Sequence, residues 1–137
     1  MKVIKHQKQT DLDCVCTCIA MLAGRRRSDM YKKYHRQYME NDDFTVGNIL
    51  DDLNIRHRLC GRDERLSPGS LYLVTAPSIN ILGKFHQLII DFRCGIEIFD
   101  PNRGVKGRKY YVRTFSARAR NQIRLTSWYV DYEILGY

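Results

Sequence analysis

Cys14, His86 and Asp100 are the residues whose types and order could do chemistry. A thiolate can attack a carbonyl carbon if a histidine first takes the thiol proton and later hands it to the leaving group. An aspartate bonded to that histidine holds its ring in the useful tautomer and stabilises the imidazolium. Developing oxyanion charge needs N–H donors: the backbone N–H of Cys14 offers one, and a glutamine side chain upstream offers a second. Gln9 is the first choice for that donor and Gln7 the alternate. The set describes a candidate cysteine hydrolase.

The chemistry dictates where these residues must sit. Cys14 opens an apolar run through Cys16, Cys18, Met21 and Leu22 to Gly24, which predicts a helix over 13–24 with Asp13 as N-cap and Gly24 as the stop. Unpaired N–H groups at a helix start favour negative charge, and so favour a thiolate. Cys18 shares a helix face with Cys14, whereas Cys16 points the other way, and both read as buried small apolar residues. His86 lies in the strand-like run Phe85–Phe92 and Asp100 closes the next run, Ile96–Phe99; Arg93-Cys94-Gly95 between them predicts a hairpin. Asp100 taken alone is an ordinary turn former before Pro101. Asp91 is the alternative orienting group, but it is poorly placed to touch the His86 ring, being five residues along the same strand. Of the other histidines, His6 is near the N-terminal end, His35 is in a polar helix and His57 stands between two arginines.

Elsewhere, residues 1–12 read as extended. Ser28-Asp29 starts a second helix through Met30, Tyr31, Tyr34 and Tyr38, and Thr45–Leu53 reads as a third. Strands are expected at 56–60, 70–75, 109–114 and 125–135, with loops at 67–69 and 77–84. Residues 115–123 fit helix and loop equally. Helices first and antiparallel strands second define an α+β domain spanning 1–137.

A chain of 137 residues suits one domain with one core. No apolar run approaches the roughly 20 residues of a spanning helix, and the first residues lack the apolar core of a secretory signal, so a cytoplasmic protein is expected. Five cysteines, three of them alternating, argue for reduced thiols rather than a disulfide framework. The net charge is +8, and the basic residues are spread out, with local clusters at 25–27, 56–58, 103–109 and 113–124. Such an excess favours encounters with acidic partners, although a basic face is commonly just solvated.

Gln9-Thr10-Asp11-Leu12-Asp13-Cys14, with Cys18-Ile19-Ala20-Met21-Leu22, resembles the opening of the bacteriocin-processing, double-glycine-leader cysteine peptidases and their stand-alone relatives. Phe85-His86-Gln87-Leu88-Ile89 and Ile98-Phe99-Asp100-Pro101, followed by Gly104, resemble the later segments of that family in order and spacing. The similarity covers most of residues 7–104. It implies a papain-like fold, with N-terminal helices packed against an antiparallel sheet. It also implies Cys14 as nucleophile, His86 as general base, Asp100 as orienter and Gln9 as oxyanion donor. Val15 stands where the family has glycine, and Gln9 is one residue closer to the cysteine than usual. No transporter segments accompany the domain, so a stand-alone relative is expected rather than part of an exporter.

Other readings remain open. The same triad can run deamidation or another acyl transfer. A catalytically silent module could keep the scaffold and bind an acidic partner or nucleic acid, with Tyr31, Tyr34, Tyr38, Tyr110 and Tyr111 stacking on bases. Cys14, Cys16 and Cys18 lack zinc-knuckle spacing, and there is no glycine-rich phosphate loop. The expectation is therefore a hydrolase without metal or organic cofactor, acting on a protein or peptide that is acidic on its surface, and not on a membrane.

Overall fold

The computed structural model describes residues 3–10, 12–116 and 119–136. Met1, Lys2 and Asp11 of the expected extended segment, Ala117 and Arg118 of the ambiguous stretch, and Tyr137 lie outside the described residues. Helix α1 spans Cys14–Ala23. Helices α2 (Arg27–Met30) and α3 (Arg36–Glu40) flank a π-helical turn, Tyr31–His35, and α4 spans Val46–Asp52. Seven strands complete the chain: β1 (Arg56–Leu59), β2 (Leu71–Pro77), β3 (Phe85–Asp91), β4 (Glu97–Phe99), β5 (Tyr110–Val112), β6 (Gln122–Arg124) and β7 (Tyr129–Gly136). The architecture is α+β, with few helices and a mostly antiparallel sheet.

The main sheet has the order β1-β7-β2-β3-β4, every pair antiparallel. The last strand of the chain is thus inserted between the first two. Strand β2 explains why the sheet holds. It is nearly all apolar and alternates between two cores: Leu71 and Leu73 face the helices, while Tyr72, Val74 and Ala76 face a second cluster with Leu88, Ile90, Tyr111 and Val130. Burial on both faces removes the polar alternation of a surface strand.

Helix α1 is the core of the helical side, with Ile19, Ala20 and Leu22 fully buried. It ends as expected. Gly24 takes the left-handed conformation at φ 65°, and the N–H of Arg25 bonds Ala20 O at 3.0 Å, closing a Schellman-type turn. Helix α4 starts on a reciprocal cap between Thr45 and Asn48.

Three expectations change. The second helix is interrupted, because Tyr31–His35 form a π turn in which the Tyr31 and His35 rings stack with centroids 4.2 Å apart. Within residues 115–123, which fit helix or loop by sequence, lies the start of β6, which pairs in parallel with β5. The final strand begins at Tyr129 rather than Leu125. The β3–β4 hairpin forms with Ile89 opposite Phe99 and Asp91 opposite Glu97. No helix among the described residues is long and apolar enough to cross a membrane.

Candidate active site

The short length of β4 creates the site. It pairs only with Ile89–Asp91, so the first half of β3, Phe85–Leu88, continues beyond it. Extending the register would set Asp100 opposite Leu88 and Asn102 opposite His86. The chain instead turns at Asp100, where Arg103 N–H bonds Asp100 O at 3.0 Å, and the residues after β4 stay close to the start of β3. Helix α1 meets this open edge. The Cys18 thiol donates to Gln87 O at 3.4 Å, filling an acceptor that β4 leaves unpaired. One turn earlier on the same helix face, Cys14 comes beside His86.

His86 is the hub. Its Nε2 is 2.6 Å from Asp100 Oδ1, and the Cys14 thiol lines the same cavity as the ring. With Nε2 engaged by the carboxylate, Nδ1 is the nitrogen left for sulfur. His86 and Asp100 are 5% and 1% exposed, whereas Cys14 is half-buried. Burial of the ring opposes its charge; the Asp100 hydrogen bond, then the Cys14 thiol and the charges of both partners, outweigh it. The net effect raises the His86 pKa to about 9. The imidazolium is then carried through neutral pH. Its contribution to folding is complete below the ordinary value of 6.5 and is lost as pH rises through about 9.

Asp100 is itself tightly held. Oδ1 accepts the Asn102 N–H at 2.8 Å and Oδ2 accepts the Tyr111 N–H of β5 at 2.7 Å. Its carbonyl is bonded by the His6 ring at 2.8 Å, and the Gln9 N–H bonds the neighbouring Pro101 O at 2.8 Å. The N-terminal segment thereby runs along the turn that carries Asp100. Asn102 Nδ2 is 3.3 Å from His86 Nε2, a second polar group against the same ring nitrogen.

The three cysteines of α1 separate sharply. Burial pushes the Cys16 thiol up to about 12, with the Asp13 charge adding to it, and pushes Cys18 well above its ordinary value. Neither can supply a thiolate at neutral pH. Cys14 occupies the first helical turn, whose N–H groups have no acceptor within the helix.

Asp13 holds the N-cap position but does not cap with its side chain. Its buried carboxylate instead accepts the Thr10 N–H at 2.9 Å and pairs with Arg27 at 2.6 Å. This tethers the entry to α1 to the start of α2. Gln7 serves the same junction, donating to Arg25 O at 2.7 Å and accepting the Arg27 N–H at 2.9 Å. Both ends of its amide are thus used away from Cys14, which removes it as alternate oxyanion donor. Gln9 is buried and lines a cavity of about 340 Å³ together with Cys14, His86 and Asn102. The structure therefore brings Cys14, His86, Asp100 and Gln9 together. Asp91 is elsewhere, paired with Arg93 at 2.8 Å and held below the ordinary carboxylate range by it.

The cavity walls include residues that sequence reasoning misses. His35, Tyr38 and Met39 come from the π turn and α3; Ser78, Ile81, Lys84 and Phe85 come from the β2–β3 loop and the strand it enters. A π turn widens the spiral and redirects the helical residues after it, and such turns recur at functional sites. A regular helical wheel hides this placement, so the one available signal was His35 at i+4 from Tyr31. Val15 is half-buried, packs on the helical core and also lines the cavity, so it takes space beside Cys14 that a glycine would leave open. Two of the five tyrosines are structural: Tyr34 is buried with its hydroxyl on Asp52, and Tyr111 is buried with its hydroxyl on Pro77 O.

Comparisons of the chain with protein-family models, with curated proteins and with solved structures return no match.

Proposed function

We propose that this chain is a cysteine peptidase or closely related amide hydrolase of papain-like plan, with α1 carrying the nucleophile and the antiparallel sheet carrying its base. One observation supports this above all: the His86 ring is bonded at Nε2 to the buried Asp100 carboxylate and shares its cavity with the Cys14 thiol at the start of α1.

In this reading His86 already carries the proton of the Cys14–His86 pair, and the sulfur attacks the substrate carbonyl. The Cys14 N–H and the Gln9 side chain stabilise the oxyanion. The His86 imidazolium protonates the departing amine, and a thioester remains on Cys14. Water, deprotonated by His86, then hydrolyses the thioester and restores the thiol. Asp100 keeps Nε2 engaged so that Nδ1 serves the sulfur. No step calls on a metal or an organic cofactor.

The test is an electrophilic thiol probe applied to wild type, Cys14→Ala and His86→Ala. Rapid labelling of wild type, none of the first variant and slow labelling of the second is the expected result. Equal labelling of wild type and His86→Ala in folded protein would overturn the reading, because the histidine would then activate nothing.

A further inference from the structure

The charge of this molecule is concentrated in one place. Between Pro101 and Trp128 the sequence has eight Lys and Arg residues and no Asp or Glu, which equals the net +8 of the whole chain. The remaining fifteen cations match fifteen acidic residues. In the rest of the molecule many cations are paired: Arg26 with Asp29, Arg27 with Asp13, Arg36 with Glu40, and Arg58 with Glu64 and Glu133. In the 101–128 segment Arg103, Lys106, Lys109, Arg113, Arg120 and Arg124 are exposed, and none forms an ion pair with a described residue.

The fold gathers these charges instead of scattering them. Strands β5 and β6 run parallel, with Tyr110 opposite Gln122 and Val112 opposite Arg124. Lys109 and Arg120 therefore fall at one end of the ladder, and Arg113 and Arg124 at the other. Like charges this close, within a Debye length of about 8–10 Å, repel one another and draw in anions. The surface also begins at the cavity. Arg108 lines the wall shared with Cys14, and Lys109 exchanges two 2.8 Å backbone bonds with the Asn80 amide in the β2–β3 loop, which forms that same wall.

We propose that the β5–β6 face is a docking surface for an acidic polypeptide, which it guides across the lip of the cavity toward Cys14. This rests on the hydrolase reading for its choice of a polypeptide. A nucleic acid is the competing polyanion, but it is recognised as a single strand by rows of aromatic platforms beside the cations. Here Tyr111 is buried and Tyr110 half-buried, and the exposed aromatics Phe115, Trp128 and Tyr129 all lie outside β5 and β6, so the two strands present no row of platforms. A polypeptide, in contrast, gains from continuity with a cavity built to hold an amide.

The test uses Cys14→Ala protein, which binds without turnover. Three fluorescein-labelled probes are titrated: a glutamate-rich peptide, a lysine-rich peptide of equal length, and a thymidine oligonucleotide of matching charge. The glutamate-rich peptide is expected to bind most tightly, and to weaken steeply between about 50 and 200 mM salt. Adding Arg113→Glu, Arg120→Glu and Arg124→Glu together should raise its Kd about tenfold or more. The same three positions changed to Gln keep the test valid if charge reversal disturbs folding, which circular dichroism would report. Equal affinity for the two peptides, or an unchanged Kd in both folded triple variants, would overturn the proposal. So would an oligonucleotide bound about tenfold tighter than the glutamate-rich peptide, since the surface would then serve nucleic acid. The two readings fail separately. Salt-sensitive peptide binding alongside a Cys14 that labels no faster than exposed Cys94 sinks the hydrolase and keeps the acidic-polypeptide surface.

Discussion

The first residue of α1 and the cysteines that follow it hold the same residue type in opposite conditions. Cys14 is half-buried and shares a cavity with a histidine. Cys16 and Cys18 are 1% and 0% exposed, and burial raises both thiols. All three lie in one helix within five residues. Thiol chemistry is therefore assigned by environment. The helix end gives Cys14 free N–H dipoles and an exit to the cavity, whereas Cys16 and Cys18 are sealed in the core around the helix. Cys18 still contributes, because its bond to Gln87 O seats the helix on the open edge of β3, beside His86.

The contrast can be broken most severely at Cys14 itself. Cys14→Ala should cut amide turnover by on the order of 10³-fold or more while leaving the urea midpoint nearly unchanged. Residual turnover near wild type would move the nucleophile to another thiol. Asp100→Asn comes next, with a loss of about 10²–10⁴-fold in kcat, because the amide both fails to stabilise imidazolium and competes for the ring tautomer. The pH profile of the variant against wild type sharpens this. Wild-type turnover should fall on the basic side with a midpoint near 9, where His86 loses the proton needed by the leaving group; in Asp100→Asn that midpoint should shift downward.

A smaller effect is expected from Cys18→Ala. It removes a buried thiol and one weak bond, and should cost about 1–2 kcal/mol in urea denaturation without abolishing thiol labelling. If it silenced the folded protein as Cys14→Ala does, the division between the two turns would collapse. The smallest is Val15→Gly, which should lose about 1 kcal/mol of stability, through lost packing of the half-buried side chain more than through helix propensity. It should also lower KM for bulky substrates, by clearing the wall beside Cys14. Unchanged KM would mean that Val15 does not limit access.

Local signals carried much of this into the sequence. The α1 boundaries follow from an apolar run ending at a glycine able to take positive φ, and the β3–β4 hairpin follows from two apolar runs around Arg93-Cys94-Gly95. Cys14, His86 and Asp100 were legible because their types and order allow little other chemistry. Other features depend on distant partners. The insertion of β7 between β1 and β2 joins the end of the chain to its middle. Strand β6 is three residues long and is defined only by β5. Asp13 resembled an N-cap by position, yet an arginine fourteen residues on drew its carboxylate away. His35 looked like a solvated helix residue until the π turn gave it a cavity to face.

The sequence alone thus determined which residue types are available for thiol chemistry, which helix begins at the thiol, and how much positive charge the chain carries. These depend on identity and on neighbours a few residues away. Only the tertiary structure decided which of three thiols meets a histidine, which glutamine reaches the cavity, and that the basic β5 end is tied to the cavity wall. Those outcomes hang on where β4 stops and on how β5 finds β6. They are set by pairing between segments far apart in the chain, which no local pattern encodes.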